Sequence, residues 1–287
     1  MRFPGSGAQP LRRSLMVVCT LGDLLLDVIV RREGSIAAGG EAEAQTRVGA
    51  GGQAANVAAW ARELGAEARF VGKRADDAAG ELAAGELARR GVDLYGPVAN
   101  GRNGVVVSLV GNDGTRTMLS DRGVAPELSP EEVDVRWLHG CDWLHLAGYS
   151  LYRRPIDEAA AKAAGAVRVQ GGRISVDLSS AAAIEAFGAA ALRARLALLE
   201  PDIAFANEEE HRALGGAPPA ATFVVKRGAA GIVVRRGSSD ETLAAAPTTV
   251  LDTTGAGDAL AAGFLVGGPE LGLAAAARCV ARLGAMP

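Results

Sequence analysis

The sequence predicts an α/β fold, a mostly parallel sheet with helices between its strands and a small β-appendage beside it. Two observations carry this expectation. Short apolar runs alternate with longer Ala-rich segments whose apolar residues recur at helical period, the pattern of strands joined by crossover helices. Two stretches, "DVIVRREG" (27 to 34) and "GVVVSLVGNDGTRTMLSD" (104 to 121), break that rhythm without a helix of their own. The second contains Asn112, Asp113 and Gly114 between two strand-like runs, a strong hairpin signal.

In chain order, apolar runs bounded by Gly, Asp or Lys give strands at 15 to 22, 68 to 73, 142 to 147, 173 to 178, 202 to 207, 222 to 228 and 231 to 237. Helical periodicity places helices at 54 to 65, 77 to 91, 155 to 170, 208 to 214, 258 to 266 and 270 to 283. A further strand, "TTVLD" (248 to 252), leads into the turn "TTGAGD". The chain of 287 residues, 49% hydrophobic, suits one large domain. That domain is expected over 15 to 287, with a flap formed by about 27 to 48 and 104 to 121 acting as a lid that excludes water. Residues 1 to 14 read as a disordered leader, with Met16 a candidate start.

A net charge of −3 gives no basic footprint. Neither nucleic acid nor an anionic membrane is therefore an expected partner. The apolar run behind Arg12 and Arg13 meets Asp23 too soon for a signal peptide, and no stretch approaches the roughly 20 residues of a transmembrane helix. Cys19, Cys141 and Cys279 stand far apart without a CxxC pair, so they are expected as buried thiols in a reducing cytoplasm rather than as a zinc site or disulfide framework. His145 and His211 lack a nucleophile constellation and read as packing or surface residues.

The turn before residue 258 carries the chemistry. Gly255 and Gly257 precede a helical "ALAAGFLV", and a glycine turn at a helix N-terminus presents unpaired amides and the positive dipole end to an anion. Asp258 sits at its lip. A carboxylate about 4 Å from a phosphate oxygen costs roughly 4 kcal/mol at an effective dielectric near 20, whereas its value to the helix dipole is only ~0.3–1 kcal/mol. The conflict disappears if Asp258 accepts the proton of a hydroxyl that attacks the phosphate. Leu260 stands where a dinucleotide fingerprint needs its third glycine, and no GxxxxGK[ST] occurs. Phosphoryl transfer without a P-loop is the chemistry expected.

At these residues the chain resembles the ribokinase-like (PfkB) carbohydrate kinases. "DTTGAGDA" (252 to 259) and "GAGGQAANVA" (49 to 58) are similar to the family's two signatures, and "GDLLLD" (22 to 27), "NEEE" (207 to 210) and "VVKRGAAG" (224 to 231) to its intervening elements. The resemblance implies a three-layer α/β/α sandwich with a small β-sheet lid. It implies Asp258 as catalytic base, with the amides of Gly255, Ala256 and Gly257 as the anion hole. Asp27, Gly51, Gly52 and Asn56 would bind the acceptor. Asn207, Lys226, Gly228 and Thr254 would line the nucleotide, and Glu210 and Asp252 would serve the metal. ATP and Mg²⁺ are the implied cofactors, with a monovalent cation as a further one, and a homodimer through the flap is the implied assembly.

Gln53 stands where many ribokinases carry lysine and Leu25 where they often carry asparagine, which argues against ribose. The expected reaction is ATP-dependent phosphorylation of the primary hydroxyl of a pentose, ketohexose or keto-deoxy sugar acid. A nucleoside is the alternative acceptor, disfavoured because 104 to 121 holds no aromatic residue. Arg116 and Arg122 lie in or just after the flap, as candidates to reach the acceptor or a phosphate. From other classes, a catalytically idle sugar-binding regulatory protein and an oligomeric scaffold remain, although neither needs an intact base and anion hole.

Overall fold

A computed structural model describes residues 15–32, 39–111 and 116–287. Its nine-stranded sheet runs, edge to edge, through Ser239–Leu243, Ile232–Arg236, Thr222–Lys226, Ile203–Asn207, Arg173–Asp177, Trp143–Ala147, Val17–Leu21, Glu67–Val71 and Asp93–Tyr95. The strands from Thr222–Lys226 to Asp93–Tyr95 are parallel, and the two at the other edge are antiparallel. The central strands are buried nearly throughout, as a parallel sheet covered on both faces requires.

One face is covered by helices Gln53–Glu63, Ala78–Arg89, Ala256–Gly267 and Pro269–Val280, which share a core with Phe70, Trp143 and Phe205. The other carries Ile156–Val169, Ala181–Phe187 and Ala189–Leu199, packed around Leu144, Leu146 and Val176. The result is the three-layer α/β/α sandwich. Alanines explain how close the layers sit: Gln53–Glu63 turns Ala54, Ala55, Ala58 and Ala59 inward, small side chains that let a helix backbone approach the sheet.

A separate four-stranded sheet has the order Ala44–Gly51, Leu25–Arg32, Asn103–Val110, Arg116–Gly123. Its middle pair is parallel and its outer pairs antiparallel. The rhythm-breaking stretches thus supply three strands, and the fourth, Ala44–Gly51, runs directly into the glycine pair Gly51–Gly52. The expected turn at 112 to 114 and the leader at 1 to 14 lie outside the described residues.

One expected strand is absent. Residues 248 to 252 pair with no strand; Val250 and Leu251 are exposed, and the amides of Leu251 and Asp252 donate to Val280 O instead. The sheet already ends at Ser239–Leu243, and an apolar run with no ladder neighbour gains nothing from extending. Conversely, the helices Ala181–Phe187 and Ala189–Leu199 form where the sequence reading placed none. Ser180 caps the first by accepting the Ala183 amide, and Leu192, Leu196 and Leu199 supply the buried stripe of the second. No described helix is long and apolar enough to cross a membrane.

Candidate active site

The site gathers at the carboxyl ends of the parallel strands, where open α/β sheets bind ligands. Helix Ala256–Gly267 points its N-terminus at these ends. Its cap, Gly255, has φ +75°, and a Cβ there would lie 2.6 Å from Ala285 Cα, so both the conformation and the space demand glycine. The helical ladder opens with Ala259 N–H donating to Gly255 O at 2.8 Å, and Ala256 N–H is turned onto Thr253 O at 3.3 Å. The amides of Gly257 and Asp258 precede the ladder and have no acceptor among the described residues. Of the expected trio Gly255, Ala256 and Gly257, Ala256 is partly spent on the turn, and Asp258 adds an open amide beside that of Gly257.

Asp258, in the first helical turn, takes a hydrogen bond from Asn56 Nδ2 at 2.8 Å. Burial raises its carboxyl to about 7, Asp177 pushes the same way, and Asn56, Lys226 and Gln53 oppose the rise. Near neutral pH both forms are then populated, as a general base requires.

Lys226, at the end of Thr222–Lys226, sends Nζ to Asp177 Oδ2 at 2.6 Å. A Cβ on Gly257 would lie 3.2 Å from that ammonium, so the lysine stands beside the anion-binding turn. Desolvation works against its charge, and Asp177, Glu210 and Asp258 together hold it above the ordinary lysine range. Three carboxylates around one ammonium leave local negative charge that suits an incoming cation.

Asn207 and Glu210 form a reciprocal capping box on helix Glu208–Ala213. Asn207 Oδ1 accepts the Glu210 amide at 2.8 Å, and the Glu210 carboxylate accepts the Asn207 backbone N–H at 2.8 Å and Nδ2 at 2.9 Å. Burial raises the Glu210 carboxyl. Asp252 stands apart from this group: Oδ1 accepts Thr254 N–H at 2.9 Å and its hydroxyl at 2.5 Å, while Oδ2 accepts Gly284 N–H at 2.9 Å. It pins the turn to the chain end and has the geometry of a clamp. Gly228, at φ +55° with open space about its Cα, begins a short 3₁₀ turn after Lys226. No cluster of three or more His, Cys, Asp or Glu suited to a metal occurs among the described residues.

On the other side of the glycine pair, Asp27 lies over Gly51, where a Cβ would fall 2.1 Å from Asp27 Cγ. Only a hydrogen fits beneath that carboxylate. Gly52 then caps helix Gln53–Glu63, which carries Asn56 to Asp258. One short segment thus links the expected acceptor aspartate to the expected base. Arg122 forms a bidentate pair with buried Asp23, at 2.6 and 2.8 Å, and its guanidinium lies 5.6 Å from the ring centre of Tyr149. Its charge is spent on Asp23. The Arg116 side chain lies outside the described residues.

A family model described as pfkB family carbohydrate kinase matches residues 16–286. The chain belongs to that family. The kinase is 32% identical over 259 residues to a protein of Halopiger xanaduensis named ATP-dependent ribose-1-phosphate kinase, covering 86% of this chain and 83% of the relative. It is 29% identical to an Escherichia coli fructokinase, over 93% and 89% of the two chains. The crystal structure of adenosine kinase from Sinorhizobium meliloti superposes with a TM-score of 0.86 at 26% identity over 96% of each chain. The kinase is accordingly a phosphotransferase of the PfkB family, whose acceptor is a sugar or a nucleoside.

Several site residues escaped the sequence reading. Asp177 ends a central parallel strand, a position whose rule could have found it. Gln53 drew notice only as a departure from lysine. Ser179 owes its place to a left-handed backbone (φ +69°), which sequence does not announce in a serine, and Tyr149 comes from the 3₁₀ turn Gly148–Leu151 after strand Trp143–Ala147 rather than from the flap.

Proposed function

We propose that this kinase transfers the γ-phosphoryl group of ATP to the primary hydroxyl of a sugar, with Asp258 as general base. The supporting observation is the tuned carboxylate: Asp258 stands in the first turn of a helix whose leading amides are open, held by Asn56 and raised to about 7 by burial. The acceptor O–H gives its proton to Asp258. Its oxygen bonds to the γ-phosphorus while the bond to the ADP oxygen breaks. The amides of Gly257 and Asp258 and the Lys226 ammonium receive the charge on the transferring group.

Mg²⁺ fits the nucleotide side. Glu210 and Asn207 are held by reciprocal hydrogen bonds, and the surplus carboxylate charge around Lys226 favours a cation; the ion, held by phosphates and water, would reach them through its hydration shell. Asp252 and Thr254 would shape the turn rather than bind that ion. Asp27 would take sugar hydroxyls over Gly51, with the four-stranded sheet as the lid. Val48, Met118 and Leu119 expose apolar surface on that sheet, which supports a homodimer through it; light scattering that shows only monomer at micromolar concentration would refute the dimer.

Replacing Asp258 by Asn tests the base. Turnover is expected to fall by roughly two or more orders of magnitude with ATP binding retained, measured by ADP release over a panel of pentoses, ketohexoses, sugar acids, sugar phosphates and nucleosides. Near-normal turnover would overturn the assignment. The panel also tests the second reading, a nucleoside acceptor, which one observation favours: Tyr149, 37% exposed, offers an aromatic surface beside Arg122.

A further inference from the structure

Residues 283 to 287 form neither helix nor strand, yet Ala285 and Met286 are each only 6% exposed. An irregular segment that is partly buried has no ladder to satisfy its backbone, so its polar groups must find partners elsewhere. Here the partners are side chains from well-separated parts of the chain. Arg47 Nη1, on strand Ala44–Gly51, donates to Leu283 O at 2.6 Å. Asp252 Oδ2 accepts the Gly284 amide at 2.9 Å, and Trp60 Nε1, on helix Gln53–Glu63, donates to Ala285 O at 2.8 Å. Arg90, which caps helix Ala78–Arg89, donates from Nε to Pro287 O at 3.3 Å.

This segment lies between two parts of the site and is joined to both. On one side, Arg47 stands two residues before Gly49, the ladder partner of Asp27. The same strand is gripped by Glu86, whose Oε2 accepts the Ala50 amide at 2.9 Å and lies 3.5 Å from Arg90 Nη1. Helix Ala78–Arg89 therefore holds the strand and the segment together. On the other side, the carboxylate that takes Gly284 also accepts the Thr254 amide and hydroxyl. Gly255 leaves no slack against Ala285, since a Cβ there would lie 2.6 Å from Ala285 Cα. Close packing transmits a displacement rather than absorbing it, so a movement of 283 to 285 is a movement of the turn.

We propose that Arg47 is a positioning residue for phosphoryl transfer: by holding Leu283 it ties the strand paired with Asp27 to the turn that leads helix Ala256–Gly267, and so sets the spacing at which acceptor and phosphoryl group meet. This rests on the reading that Asp27 serves the acceptor and the turn serves the phosphoryl group. Reacting atoms need an approach of about 3–3.5 Å, and a misplacement of about 1 Å is costly. A tie that governs spacing acts on turnover more than on the binding of either substrate. Arg47 is exposed and Leu283 is 44% exposed, so water can replace the lost donor and removal of the side chain leaves the core intact.

The test is Arg47→Met in the full chain, with Arg47→Lys as the conservative variant and Tm as the check on folding. Hydrogen exchange in the peptide spanning 253 to 259 is expected to rise about threefold or more, with strand Trp143–Ala147 unchanged. With an acceptor from the panel, kcat should fall about three- to tenfold while the KM of each substrate moves by less than about twofold. Arg47→Lys, which keeps a donor, should recover most of both losses. Unchanged exchange at 253 to 259 overturns the inference. So does a raised acceptor KM with kcat intact, the signature of a local effect on the strand, and so does faster exchange with wild-type kcat. The exchange readout needs no turnover, which separates it from the base assignment: near-normal activity in Asp258→Asn removes the base, while the tie between strand and turn is still decided by exchange.

Discussion

Asp258 combines two demands that pull against each other. The proposed base must be ionisable near neutral pH, yet its folded-state carboxyl, at about 7, lies above the ordinary value of 3.8. The folded protein therefore binds this proton more tightly than the unfolded chain does. The stabilisation so gained is complete below the unfolded value and is lost as pH climbs through about 7. Two expectations follow in opposite directions. The kcat/KM of the wild type should rise with pH through a limb near 7, while Asp258→Asn, inactive, should become the more stable protein above it, by roughly 2–4 °C in Tm. Calorimetry at pH 6 and pH 8.5 checks this, the gap being expected only at the higher value. Lys226 poses the converse case: Lys226→Met leaves fully buried Asp177 without its cation, and a loss of about 3–5 kcal/mol in urea unfolding is expected.

Among elements, the segment from strand Ala44–Gly51 through Gly52 into helix Gln53–Glu63 does most to assemble the site. Gly51 admits Asp27 on one side, and Asn56 reaches Asp258 on the other. Because a Cβ at residue 51 would sit 2.1 Å from Asp27 Cγ, Gly51→Ala must displace that carboxylate. The expected result is a KM for the acceptor raised about tenfold or more, with KM for ATP little changed; steady-state kinetics with any acceptor the panel identifies would show it. Helix Ala256–Gly267 depends likewise on Gly255, wedged against Ala285. That contact explains why the short chain end is a structural partner of the anion-binding turn, with Trp60 Nε1 donating to Ala285 O at 2.8 Å.

Across the whole molecule, the four-stranded sheet is anchored to the main domain where Arg122 meets Asp23. The pair is bidentate and largely buried, so breaking it should be felt beyond the side chain. Arg122→Met is expected to speed hydrogen exchange in strand Arg116–Gly123 while leaving the central strand Trp143–Ala147 unaffected, and to raise the acceptor KM if the loosened sheet is the proposed lid. Unchanged exchange in that strand would show that the pair does not anchor the sheet. The same pair explains why a flap arginine that looks available to an anionic acceptor is not: its guanidinium is already matched to a carboxylate.

What the sequence by itself determined is the alternation of strands and helices, the family, and the local motifs written in adjacent residues: "GAGD" as a glycine turn at a helix N-terminus with a carboxylate at its lip, "GG" before Asn56, and Asn207 with Glu210 three positions on. These are short-range statements, and short-range physics governs them. The absence of a strand at 248 to 252, the binding of Asp252 to Gly284, the spending of Arg122 on Asp23, the reach of Asn56 to Asp258, and the line from Gln53 through Ser179 to Asp177 and Lys226 were decided only by the tertiary structure. Each joins segments far apart in the chain. Which partner a buried polar group finds depends on what the packing of the layers brings within about 3 Å of it, and residue order alone does not encode that distance.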